Sequence, residues 1–141
     1  MILGKIGQAT AKNSTLIDAL ISLLRDDEWE VRYYASVILG KIGQAAANPS
    51  TLIDALIPLL RDEEWEVRSR AAEALGNMGE SAAKHPGVFD ALLHLLEDKG
   101  PGVRSSAAEA MLKMGQAAAN HPNLIDALIS LLRDKNRRSS P

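Results

Sequence analysis

Apolar residues recur along this chain at helical rather than alternating spacing. In TLIDALISLLR, from Thr15 to Arg25, they fall at positions 16, 17, 20, 21, 23 and 24, which form one broad helix face. A second segment, from about Trp29 to Ile42, gathers Val31, Ala35, Ile38, Leu39 and Ile42 on one side when residues are laid out at about 100° per step. The pair of segments then repeats. LIDAL begins at Leu16 and Leu52, recurs as VFDAL from Val88 and closes as LIDAL from Leu124. GKIGQA begins at Gly4 and Gly40, and is followed by GNMGES from Gly76 and LKMGQA from Leu112. Residues 1–36 and 37–72 agree at roughly three quarters of positions, with no slip of register. A helix pair of this size cannot bury its own apolar faces, so consecutive pairs must stack into one core.

Local signals mark the helix ends. Thr15, Thr51, Gly87 and Asn123 precede the apolar runs as expected N-caps, each with an Asp three positions on (Asp18, Asp54, Asp90, Asp126) at capping-box spacing. Pro58 should bend the second copy of the first helix. Gly43, Gly79 and Gly115 are expected to supply left-handed stops after the second helices. Ser36 and Gly40, with Ala72 and Gly76 in the next copy, form a small-residue stripe along which a neighbouring helix can come close. The remaining arc, positions 30, 33, 34, 37 and 41, is where the copies differ most. It reads Tyr33, Ser69, Ser105; Tyr34, Arg70, Ser106; and Val37, Glu73, Glu109.

The expected organisation is an all-α solenoid with a 36-residue period and about four repeats. One domain spans 1–134, with units at 14–49, 50–85 and 86–121 and half elements at 1–13 and 122–134; a basic tail covers 135–141. The 141 residues carry sixteen Lys and Arg against eighteen Asp and Glu, net -2, which disfavours a non-specific nucleic-acid binder. Cysteine is absent, so disulfides and thiol chemistry are excluded. No apolar run is long enough for a membrane span and no signal-peptide pattern opens the chain, so a cytoplasmic location is expected. Nucleophile motifs and phosphate loops are missing, and His85, His94 and His121 lack ligand spacing. The expectation is therefore no enzyme, no cofactor and no metal.

The run LRDEEWEVRSRAAEALGNMG from Leu60 to Gly79 carries Asp62, Val67, Arg68, Ala71, Ala72, Ala74, Leu75 and Gly76. It resembles the HEAT-like repeats of the phycobilisome-lyase type, across nearly the whole chain. The third copy departs from the pattern at Met111 and Leu112. The resemblance implies a right-handed α-α superhelix, and it implies a ladder in which Arg32, Arg68 and Arg104 bond Asp26, Asp62 and Asp98 of the same or the adjoining repeat. Such repeats serve lyases, scaffolds and sensor arrays alike, so the likeness speaks to fold more than function.

Two surfaces are candidates for a protein or peptide partner. One is the variable arc, expected on the concave side, with Tyr33, Tyr34, Val37, Arg70 and Glu73. Tyr and Arg are the types enriched at interaction hot spots. The other is the edge of turns, where Trp29 and Trp65 stand among Asp26, Asp27, Glu28, Glu30, Asp62, Glu63, Glu64 and Glu66. There an indole serves either a cation–π contact or simply as cover for the turn. The preferred expectation is a non-catalytic protein-binding scaffold. The alternatives are an end-to-end homo-oligomer built on exposed repeat ends, and a bilin lyase or chaperone-like tetrapyrrole binder.

Overall fold

The computed structural model describes residues 14–85 and 87–117, together with Asp126 and Ile129. The half element at 1–13, the N-cap expected at Asn123, His121 and the basic tail lie outside the described residues. Seven α-helices follow in order among those described: α1 Ser14–Leu23, α2 Trp29–Ile42, α3 Pro49–Leu56, α4 Trp65–Asn77, α5 Glu80–Lys84, α6 Val88–Leu95 and α7 Pro101–Ala117. There are no strands among the described residues, and no helix there is long and apolar enough to cross a membrane.

The long second helices form a row in which α4 packs against α2 on one side and α7 on the other. Small residues make that row tight. A Cβ built on Gly40 would stand 2.9 Å from the Cα of Ala74, and one on Gly76 would stand 2.7 Å from the Cα of Ala110. Both are shorter than atoms tolerate, so these two glycines are required by the approach of the helices. First and second helices both contribute larger apolar side chains. Leu24, Leu39, Leu52, Ile53, Leu56, Leu60, Val67, Leu75, Val88, Leu92, Val103 and Met114 are fully buried in one continuous cluster. Each such side chain contributes roughly 1.5–3 kcal/mol by leaving water.

Several helix ends differ from the sequence expectation. Thr51 lies inside α3, which starts at Pro49 with Asn48 before it, and no side-chain cap bond forms at Asn48 or Gly87. Pro at the first helical position has no N–H to leave unpaired, so the start moves upstream of the threonine. Thr15 likewise falls inside α1. Pro58 does not bend α3; it ends it, and residues Ile57–Arg61 continue as a 3-10 segment. Removing the donor at 58 and crowding the carbonyl four residues back favours the tighter turn. Only one of the three expected glycine stops has a positive φ. Gly79 sits at φ 57°, whereas Gly43 is right-handed at φ -60° and Gly115 is interior to α7. After Gly79 the chain forms α5, an element the periodicity did not announce. Ile38 is also 41% exposed, although the helical wheel assigns it to the buried face.

Thermal or urea unfolding separates these roles. Gly76→Ala is expected to destabilise by about 1–3 kcal/mol, because the new methyl meets backbone rather than a movable side chain. Gly115→Ala is expected to stabilise by roughly 0.5–1 kcal/mol, since nothing outside its own helix among the described residues lies within 4 Å of the added carbon and alanine favours the helix.

Candidate functional site

The turns between paired helices are built the same way three times. Asp26, Asp62 and Asp98 each accept a backbone N–H two residues on, from Glu28, Glu64 and Gly100, at 2.9 Å. This fold-back points the chain into the second helix. From inside that helix Arg32 donates Nη1 to the carbonyls of Asp26 (2.7 Å) and Asp27 (3.1 Å). Arg68 repeats this on Asp62 and Glu63, and Arg104 on Asp98. The other edges of the Arg32 and Arg68 guanidiniums cross to the next repeat. Arg32 forks onto Asp62 with Nε at 2.8 Å and Nη2 at 3.1 Å, and Arg68 forks onto Asp98 at 2.9 and 3.0 Å. Arginine thus bonds the carbonyl of its own turn and the carboxylate of the adjoining one.

Both pairs are largely sheltered from solvent. Burial disfavours the charge on Asp98, but the Arg68 fork, the Gly100 N–H and the nearby charges of Arg68 and Arg104 outweigh it and hold the carboxyl below its ordinary range. The hydrogen bond to Asp62 raises the Arg32 guanidinium above its usual value despite the opposing desolvation.

The variable arc forms a polar seam across the second helices. Tyr33 is half-buried, edge-on to Trp29 at 6.3 Å and to Tyr34 at 5.1 Å between ring centroids. Arg70 of α4 reaches back across the gap, its Cζ 5.3 Å from the Tyr33 ring centre and its Nε donating to the Tyr33 hydroxyl at 3.1 Å. The same guanidinium bonds Glu73 at 2.6 Å. Hydrogen bonding to Tyr33, against burial and with help from Glu73, raises the Arg70 value. Further along, Ser69 and Ser106 share a hydrogen bond at 2.6 Å, and Lys113 donates to Asn77 at 3.0 Å. Between α2 and α4 lies an open cleft of about 180 Å³ lined by Ser36, Val37, Lys41, Arg70, Glu73 and Asn77. Tyr34 stands beside this seam, 63% exposed.

The structure therefore brings Tyr33, Tyr34, Val37, Arg70 and Glu73 together on one surface. The two tryptophans part company. Trp29 is half-buried against Tyr33, whereas Trp65 is 53% exposed and lies over the next turn, 3.8 Å from where a Cβ on Gly102 would stand. Two histidine–carboxylate contacts were not foreseen: His85 Nε2 lies 2.6 Å from Asp54, and His94 Nε2 lies 4.0 Å from Asp90. His85 and Asp54 are 31 residues apart with no shared motif, so only the fold brings them together. No group of His, Cys, Asp and Glu able to hold a metal occurs among the described residues.

A family model for HEAT repeats matches residues 17–85 and, in a second register, 53–139. No curated protein matches the chain.

The ladder makes stability depend on acid. Asp98 contributes stability above its ordinary unfolded value of about 4 and loses it as pH falls through the lower folded value. Arg68→Ala is expected to cost about 2–4 kcal/mol at neutral pH by leaving Asp98 sheltered and unpaired. Urea titrations between pH 7 and pH 3 should also show a smaller acid-dependent loss in the variant than in the parent, because the favourable partner for ionised Asp98 is gone.

Proposed function

Because this chain belongs to the HEAT repeat family, we propose that it is a protein-binding scaffold whose docking surface is the seam across α2, α4 and α7. HEAT repeats generally mediate protein–protein interaction, and the preferred arrangement is a right-handed solenoid of 36-residue units with the second helices lining its concave side. The observation that carries the reading is the Tyr33–Arg70–Glu73 network. These three positions are not held constant by packing between copies, yet their side chains are already ordered by contacts that cross from one repeat to the next. Ordering before binding lowers the entropy cost of association. A tyrosine exposed beside an arginine is also the chemistry of interaction hot spots.

Each residue has a distinct role in this reading. Tyr34 provides free aromatic area, Val37 an apolar floor, Glu73 a carboxylate at the cleft, and Arg70 the strut that fixes Tyr33 and Glu73. Trp65 extends the surface at the acidic edge. The Val67–Arg68 pair and the run from Ala71 to Gly76 favour the phycobilisome-lyase type of repeat. A cleft of about 180 Å³ is smaller than the roughly 300 Å³ at which small-molecule pockets begin, so tetrapyrrole chemistry does not form part of the proposal.

The test is affinity capture with the intact chain as bait, compared with Tyr34→Ala and Glu73→Lys baits of matched melting temperature. Tyr34→Ala is the cleaner probe, because truncating half-buried Tyr33 also removes packing from Trp29. A partner retained by the parent should be lost or weakened about tenfold or more by either substitution. Partners that bind all three baits equally would move the docking surface elsewhere.

A further inference from the structure

Trp29 and Trp65 hold equivalent positions one repeat apart, yet one is covered and the other is bare. Trp29 is half-buried, with Tyr33 of its own helix edge-on to it at 6.3 Å. At the place of Tyr33 the second copy carries Ser69, whose hydroxyl meets Ser106 instead. The following second helix withdraws another cover. A Cβ on Gly102 would stand 3.8 Å from Cζ3 of Trp65, in ordinary contact with the ring. Gly102 is the counterpart of Glu66, so the same repeat step sets the Glu66 side chain beside Trp29. In keeping with that place, one carboxylate oxygen of Glu66 is fully buried without a hydrogen-bond partner.

Trp65 is therefore 53% exposed because both side chains that cover Trp29 are replaced around it. The turn beneath it is nonetheless fixed. Gly100 donates its N–H to Asp98 at 2.9 Å, and a Cβ built on Gly100 would stand 3.7 Å from the Cβ of Trp65. The indole is a shelf on a rigid base.

The charges around this shelf select its occupant. Asp62 and Asp98 are neutralised by the Arg32 and Arg68 forks. Of the other charges on these two turns, Glu63, Glu64 and Glu66 outnumber Lys99 and Arg104. None of those three glutamates has an ion-pair partner among the described residues. Carboxylates beside an open indole favour a cation, and a guanidinium can stack on the ring while donating to the acids at its edge. We propose that Trp65 is a shelf for an arginine side chain of the partner protein, whose methylenes take the space beside Gly102 that the Glu66 side chain takes in the preceding repeat. The proposal rests on the reading of this chain as a protein-binding scaffold and names what the Trp65 end of its surface takes. Its test leaves Tyr34 and Glu73 out of the contact, so either reading can fail without the other.

The probe is a fluorescein-labelled tetra-arginine amide, titrated with the full-length chain at about 0.15 M salt and read by anisotropy. Saturable binding is expected. Trp65→Leu should weaken it about fivefold or more. Gly102→Glu should weaken it by a similar factor although it adds a carboxylate, because the new side chain covers the indole as Glu66 covers Trp29. A merely acidic edge would bind that variant more tightly. A tetra-lysine amide should bind about threefold or more weaker than tetra-arginine, and Tyr34→Ala should leave affinity in place. Should Trp65→Leu unfold, Gly102→Glu decides, since its added carbon meets only the ring edge; the tetra-lysine comparison needs no variant at all. The shelf is overturned by absence of saturable binding up to about 1 mM, by equal or tighter binding to Gly102→Glu, or by indifference to Trp65→Leu in a folded chain. Equal affinity for tetra-lysine overturns it too, as does a loss with Tyr34→Ala as large as that with Trp65→Leu, which would move the peptide to the seam.

Discussion

The structure depends on one guanidinium serving two repeats. Arg32 and Arg68 each hold the backbone carbonyls of the turn they follow and the carboxylate of the turn that comes next. The aspartate in turn fixes its own backbone through the N–H two residues on. A shift of one hairpin against another would therefore break a fork, a carbonyl bond and a turn together. Hydrophobic contact alone lacks this property, because leucines sliding past leucines lose little. The ladder supplies register, and the aliphatic cluster supplies most of the stabilising burial.

The seam on the second helices follows from that register. With the turns locked, α2, α4 and α7 can approach closely only where both faces are small, and Gly40 against Ala74 and Gly76 against Ala110 meet that need. Close approach in turn brings side chains about one repeat apart into reach of each other. Arg70 finds Tyr33, Ser69 finds Ser106 and Lys113 finds Asn77. The residues that vary between copies are thus linked by the ones that do not. The surface proposed for docking is thus a polar one already held in place by its own cross-helix bonds.

In the interior, a repeat's leading face is buried by its predecessor and its carboxylate is filled. A solenoid extends by adding units to such a face, because each interface is local and nearly the same as the last.

Much of this was legible without coordinates. The helical spacing of apolar residues anticipated an all-helical chain, and α2 runs from Trp29 to Ile42 as that spacing required. The Tyr33, Tyr34 and Val37 arc was visible as the place where copies disagree. Helix ends were less legible. Thr51 lost the cap position to Pro49, and Gly43 and Gly115 remained right-handed, because a glycine permits a left-handed stop without demanding one. The partner of each arginine was also ambiguous by spacing alone, since both the preceding and the following aspartate lie within one repeat step of it. Sequence by itself determined the repeat, the helical pairing and the aliphatic core, which are local or periodic properties. Only the tertiary structure decided that Arg32 reaches forward to Asp62 and that Arg70 braces Tyr33. Those outcomes depend on the distance and angle between neighbouring hairpins, which no single hairpin encodes.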